Sequence, residues 1–154
     1  MNESAIRILI IVLLVLALAY NIFSRFRRQM KSPLGRVIGI HGNVKKNEKL
    51  VDNFTFHRGV KKLHTDAWTR NKDLIGFLPQ ELQTMLSETF KICEEVNGRI
   101  DEARKFKSDS YMSVVDVSKL KEPLARSKQQ LKEWVQENMM NPAYAPKRRR
   151  GLFR

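Results

Sequence analysis

LPQELQTMLSETFKICEEVNGRIDEARKFK, residues Leu78 to Lys107, sets apolar side chains at Leu82, Met85, Leu86, Ile92, Cys93, Val96, Ile100, Ala103 and Phe106. Steps of three and four draw one stripe along a helix and leave Glu88, Glu94, Glu95, Asp101, Arg104 and Lys105 mostly off it. Pro79 suits a first helical turn, and Glu81 just behind it lies on the favourable side of the helix dipole. The spacing predicts a long helix over about 79–107, with Gly98 its weak point at about 1 kcal/mol relative to Ala.

C-terminal to this helix, SDSYMSVVDVS is polar, β-branched and turn-prone, so the pattern breaks. A second stripe follows at Val117, Leu120, Leu124, Leu131, Trp134, Val135 and Met139, predicting a helix over about 118–140 that ends before Asn141-Pro142. Two such helices joined by a short loop fold back as an αα-hairpin. A hairpin alone leaves apolar surface uncovered, so either the segments before it complete a small bundle or a partner does. Heptad places on the first helix include Thr89 and Arg99, which weaken a coiled-coil seam.

Toward the N-terminus the periodicity fades. SPLGRVIGIHGN contains Pro33, Gly35, Gly39, Gly42 and Asn43 around Val37, Ile38 and Ile40, which reads as a short extended segment near 36–41 inside a basic linker, 24–49. The glycine spacing G-x-x-x-G-x-x-G matches neither a dinucleotide nor a P-loop fingerprint. Leu50, Val51, Phe54, Leu63 and Trp68 recur at loosely helical spacing, so one or two short helices are expected before the long one.

Residues 1–4 form a short tail, and Ala5 to Phe23 then form a nineteen-residue apolar run interrupted only by Arg7 and Asn21. As a helix it is about 28 Å long, close to the roughly 30 Å of a bilayer's hydrocarbon core. The Ala17-Leu18-Ala19 triplet also meets the small-residue rule for a signal-peptide cleavage site. Arg25, Arg27, Arg28 and Lys31 follow immediately, and such a cluster marks the side retained in the cytoplasm. The expectation is an uncleaved signal-anchor helix over 5–23, with the N-terminus outside and the C-terminal domain cytoplasmic, in the cell or inner membrane.

The 154 residues carry a formal charge of +13, unevenly spread. Residues 25–76 hold thirteen Lys/Arg against four Asp/Glu, residues 77–140 hold ten against eleven, and residues 141–154 hold five against none. The tail NPAYAPKRRRGLFR reads as a basic disordered segment. Its Lys147, Arg148, Arg149 and Arg150, with Arg25, Arg27, Arg28 and Lys31, are candidate contacts for anionic headgroups, at about 1 kcal/mol per charge near a surface. The same charges would hold nucleic-acid phosphates without sequence preference.

Catalytic patterns are nearly absent, and a non-enzymatic protein without metal or cofactor is expected. Ser118-Lys119-Leu120-Lys121 has the S-x-x-K spacing of penicillin-recognising enzymes but lacks the companion motifs. Cys93 falls on the apolar stripe, as a small hydrophobe rather than a nucleophile does. One cysteine excludes an internal disulfide framework, and three scattered histidines do not space a metal site.

The sequence therefore predicts a mainly α protein: a transmembrane helix, the linker, and a helical domain over 50–140 built on the hairpin. Its expected role is a single-pass scaffold or accessory subunit. It would bind a protein partner, or a second copy of itself, through the stripe Leu82, Leu86, Val96, Ile100, Leu124, Leu131 and Trp134, and anionic lipid through its basic segments. The alternatives are a membrane-tethered nucleic-acid binder and a basic protein exported after signal cleavage.

Overall fold

The computed structural model describes residues 3–55, 60–106 and 115–146, with backbone alone for 3–7 and 25–30 inside their helix. It is mainly helical, with no strand among the described residues. Among the described residues five α-helices run in order: α1 Glu3–Lys31, α2 Pro33–Asp52, α3 Asp66–Asn71, α4 Gln80–Lys105 and α5 Lys121–Asn138. Single 3-10 turns, Lys72–Leu74 and Ser118–Leu120, extend α3 and lead into α5.

The two periodic stripes fold as helices nearly over their expected ranges. On α4, Leu82, Leu86, Phe90, Cys93, Val96, Ile100 and Ala103 are buried. On α5, Leu124, Leu131 and Trp134 join them. Phe90 completes the stripe between Leu86 and Cys93, whereas Phe106 and Met139, expected on the stripes, are exposed. Pro123 is the third residue of α5, where its missing N–H leaves no helical bond unmade. Thr89 Oγ1 and Ser127 Oγ pair across α4 and α5 at 3.1 Å, so the two buried hydroxyls satisfy each other. Thr89, read from sequence as a flaw in the seam, thereby becomes a specific contact.

The linker expected over 24–49, with its extended segment near 36–41, is corrected. Residues 33–52 form the twenty-residue helix α2. Ser32 caps it, its hydroxyl accepting the Gly35 N–H at 3.0 Å, and Pro33 occupies the first turn. Val37, Ile40, Val44, Asn47 and Val51 are buried at alternating steps of three and four. Burial of that seam outweighs the weak helix propensity of Gly35, Gly39 and Gly42. The domain therefore begins at residue 32 and not at 50.

Helix α5 runs antiparallel to α2: Glu48 pairs with Lys128, and Leu34 meets Tyr144 at the other end. It also runs antiparallel to α4, where Thr89 meets Ser127 and Phe77 meets Trp134. Residues 60–78 lie between α2 and α4, with α3 in their middle. Trp68 stacks on Phe90 with ring centroids 5.0 Å apart, and Val60, Leu63, Ala67, Ile75 and Leu78 enter the same core. The chain's own segments, residues 33–52 and 60–78, thus pack with α4 and α5 to complete the bundle.

Residues 141–146 do not behave as the free start of a tail. Asn141 and Tyr144 donate backbone N–H bonds back to Asn138 and Asn141, and the Tyr144 ring packs on Phe77 and Trp134. The rest of the expected tail, 147–154, lies outside the described residues.

Candidate functional site

Two surfaces stand apart from the closed core. The first is α1. From Ile8 to Phe23 its large apolar side chains are all exposed, from 48% at Val12 to 74% at Tyr20. No helix among the described residues is long and apolar enough to cross a membrane. The described apolar stretch, Ile8 to Phe23, amounts to about 24 Å of helix. The helical backbone itself continues on both sides, over 29 residues. A contiguous apolar surface of this size is unusual on a folded chain in water.

The second surface is the end of the domain nearest α1, where three parts of the chain meet. The α1–α2 junction lies at Lys31–Pro33. The backbone N–H of Leu34 donates to the Tyr144 carbonyl at 3.2 Å, which ties the end of the α5 segment to the start of α2. The Arg36 guanidinium donates to the Leu74 carbonyl at 3.3 Å, which brings in the turn after α3. Phe77, Trp134 and Tyr144 form an aromatic trio beneath, with centroids 5.2–5.6 Å apart. Around this end Ile38, Leu74, Met139 and Met140 are exposed, Met140 at 86%.

The predicted residues divide sharply. Leu82, Leu86, Val96, Ile100, Leu124, Leu131 and Trp134 are all buried in the domain's own core, so the expected partner-binding stripe is corrected to an internal packing face. Lys31 is exposed beside the α1–α2 junction. The side chains of Arg25, Arg27 and Arg28 and all of Lys147, Arg148, Arg149 and Arg150 lie outside the described residues. What sequence reasoning missed is the exposed apolar set at this end. Met139 and Met140 carried a signal, because they continue the α5 stripe past the point where the helix stops.

Ser118 and Cys93, the groups with nucleophilic associations, have ordinary partners. Ser118 donates both its hydroxyl and its backbone N–H to Asp116, which holds that exposed carboxyl below the usual range. The Cys93 thiol is buried and accepts a long contact from the Asn47 amide, 3.8 Å away; burial pushes its pKa up to about 12. Glu94 and Glu95 are exposed. His41 Nε2 is buried without a hydrogen-bond partner among the described residues, and its pKa is lowered by burial and then by Lys45, Lys128 and Lys132. Among the described residues no three His, Cys, Asp or Glu side chains are grouped to hold a metal ion. An open groove of about 520 Å³ runs past Trp68, Lys72, Asp73, Gln83, Thr84, Ser87 and Glu88.

No protein-family model, curated protein or solved structure matches this chain.

Proposed function

We propose that this protein is a single-pass membrane-anchored helical module, held by α1 with its domain on the cytoplasmic face, and that its basic segments contact anionic lipid. The observation that carries the reading is the contrast in burial. Every large apolar side chain of α1 from Ile8 to Phe23 is exposed, while the core of the domain closes without them. At about 25 cal/mol per Å², leaving such a surface in water is costly, and a bilayer removes it from water without a protein partner. In sequence, Ala5 to Phe23 is apolar but for Arg7 and Asn21, and the α1 backbone runs helically through it. Arg25, Arg27, Arg28 and Lys31 after it favour the cytoplasmic side for the domain.

The scaffold role changes in kind under this reading. Because the amphipathic stripes are used internally, any protein partner has to meet outward faces of the domain, and lipid is the partner best supported. The test is fractionation of the full chain expressed with its own α1, followed by alkaline extraction and protease protection. Retention in the membrane pellet, with the domain digested only from the cytoplasmic side, is expected. Release at alkaline pH, or a soluble chain shortened at Ala19, would overturn the reading. The nucleic-acid alternative predicts salt-sensitive binding of a random duplex by the detergent-purified chain, lost when residues 147–154 are removed.

A further inference from the structure

We propose that the seam between α2 and α5 at His41, Lys45 and Lys132 is a binding site for a phosphate-type oxyanion. The proposal goes beyond the anchor reading and does not depend on it. The register of the two helices brings the charges together. Glu48 on α2 accepts from the Lys128 ammonium through both carboxylate oxygens, at 2.5 and 2.7 Å. The helices run antiparallel, so stepping back from Glu48 and forward from Lys128 moves in one direction along the seam. Lys45 lies three residues before Glu48 and Lys132 four residues after Lys128, about 4.5 and 6 Å along the two axes. Steps of three and four keep each lysine on the face of its ion-paired neighbour. The two lysines therefore stand at nearly the same level on facing helices. His41, four residues before Lys45, follows on the same face of α2.

Lys45 and Lys132 are exposed, and neither has a hydrogen bond or ion pair among the described residues. Glu48, the acid at the seam, is committed to Lys128. Glu133, beside Lys132 in sequence, accepts from the Gln129 amide at 2.6 Å. Lys49 adds an exposed cation one turn from Lys45. The His41 ring is half-buried at the seam, and its Nε2 has no hydrogen-bond partner among the described residues. Burial, and then Lys45, Lys128 and Lys132, lower the pKa of that ring, so the fields of lysines from both helices overlap on it. Like charges set side by side repel, and a tetrahedral dianion relieves the repulsion by accepting from two ammonium groups at once. It also favours a proton on His41, which makes the ring a further cation at the site. Two unpaired lysines and a ring that can gain a proton suit a dianion better than the single charge of a carboxylate.

The test titrates the full chain, purified in a neutral detergent, with inorganic phosphate, against chloride at matched ionic strength and constant pH. Calorimetry is expected to show saturable binding of phosphate and none of chloride. The NMR signals of the His41 ring should move with the same saturation, and the ring's pKa should rise, because a bound dianion favours the imidazolium. Lys45→Gln combined with Lys132→Gln should weaken binding by about tenfold or more. Lys61→Gln combined with Lys91→Gln removes the same charge from exposed positions outside α2 and α5, and should leave binding unchanged. Circular dichroism checks the fold of both double variants, and the His41 response of the unaltered chain stands without them. A free phosphate and the phosphomonoester headgroup of a lipid offer the same chemistry, and a second titration with phosphatidic acid in the micelle separates them. A response to inorganic phosphate assigns a free ligand, and a response to phosphatidic acid alone assigns the headgroup; each supports the site. Phosphate acting no differently from chloride, with no response to phosphatidic acid, would overturn the proposal. So would equal losses in the two double variants.

Discussion

The side-chain amide of Asn97 closes on both backbone polar groups of Leu63, accepting its N–H at 2.7 Å and donating to its carbonyl at 2.9 Å. Asn47, on the other flanking helix, does the same for the next residue, His64, at 2.6 and 2.8 Å. One step further, Asn43 accepts the Ala67 N–H and donates to Asp66. Among the described residues the non-helical segment before α3 has no strand beside it, and it lies between two helices with its backbone bonds at Leu63 and His64 partly buried. The asparagine amides replace the pairing a sheet would supply, because each offers a donor and an acceptor in one plane.

Asn97→Ala leaves the N–H and C=O of Leu63 without these partners and is expected to cost about 1–3 kcal/mol. Asn47→Ala should cost a similar amount. Because the two amides grip adjacent residues of one segment, the double variant should lose less than the sum. Urea unfolding of the domain followed by circular dichroism provides the measurement. Losses below about 0.5 kcal/mol would show that water replaces the amides and that the clamp is not structural.

The Trp68–Phe90 stack joins the segment between the helices to α4. Phe90 is fully buried, so Phe90→Ala should destabilise the domain by about 3–5 kcal/mol. Phe90→Leu, which keeps most of the volume, should cost much less. Emission from a variant with Trp134 replaced by Phe would report Trp68 alone, and a red shift in Phe90→Ala is the expected sign that water reaches it.

Burial raises the Cys93 pKa from 9.0 to about 12. Above pH 9 the unfolded chain loses this proton while the folded chain keeps it, so stability should fall as pH rises from about 9 to about 12. The informative quantity is the difference between wild type and Cys93→Ala, whose curve should fall less steeply. At pH 8 the native thiol should resist alkylation until denaturant is added. Rapid native-state alkylation would contradict the buried position.

His41 behaves in the opposite sense. Its pKa is lowered by burial and then by the nearby Lys45, Lys128 and Lys132, so the folded state favours the neutral ring more than the unfolded chain does. Below about pH 6.5 the unfolded chain takes up a proton that the folded chain refuses, and stability should decline as pH falls. His41→Gln should flatten that limb of the stability profile. An NMR titration placing the ring at or above the ordinary histidine value would refute the assignment.

Legibility differed from helix to helix for physical reasons. On α4 and α5 the core face is mostly Leu, Val, Ile, Phe and Trp, and period alone locates both helices to within three residues. Helix α2 has an equally regular face, Val37, Ile40, Val44, Asn47 and Val51, but one member is polar and three glycines lower its propensity. The Ser32-Pro33 cap was the local signal that a helix begins there. Asn47 carries no local sign of burial in the sequence, because its partner, His64, is seventeen positions away.

The amino-acid sequence by itself determined the helical class, the positions of α4 and α5, the apolar run of α1, and the clustering of charge at both ends. These follow from side-chain period and composition, which are local. Only the tertiary structure decided that residues 33–52 are helical and that the amphipathic stripes face one another. It also decided that the end of α5 returns to the start of α2 at Leu34 and Tyr144. Those outcomes depend on which buried surfaces and backbone groups satisfy each other across dozens of residues, and no local pattern specifies that pairing.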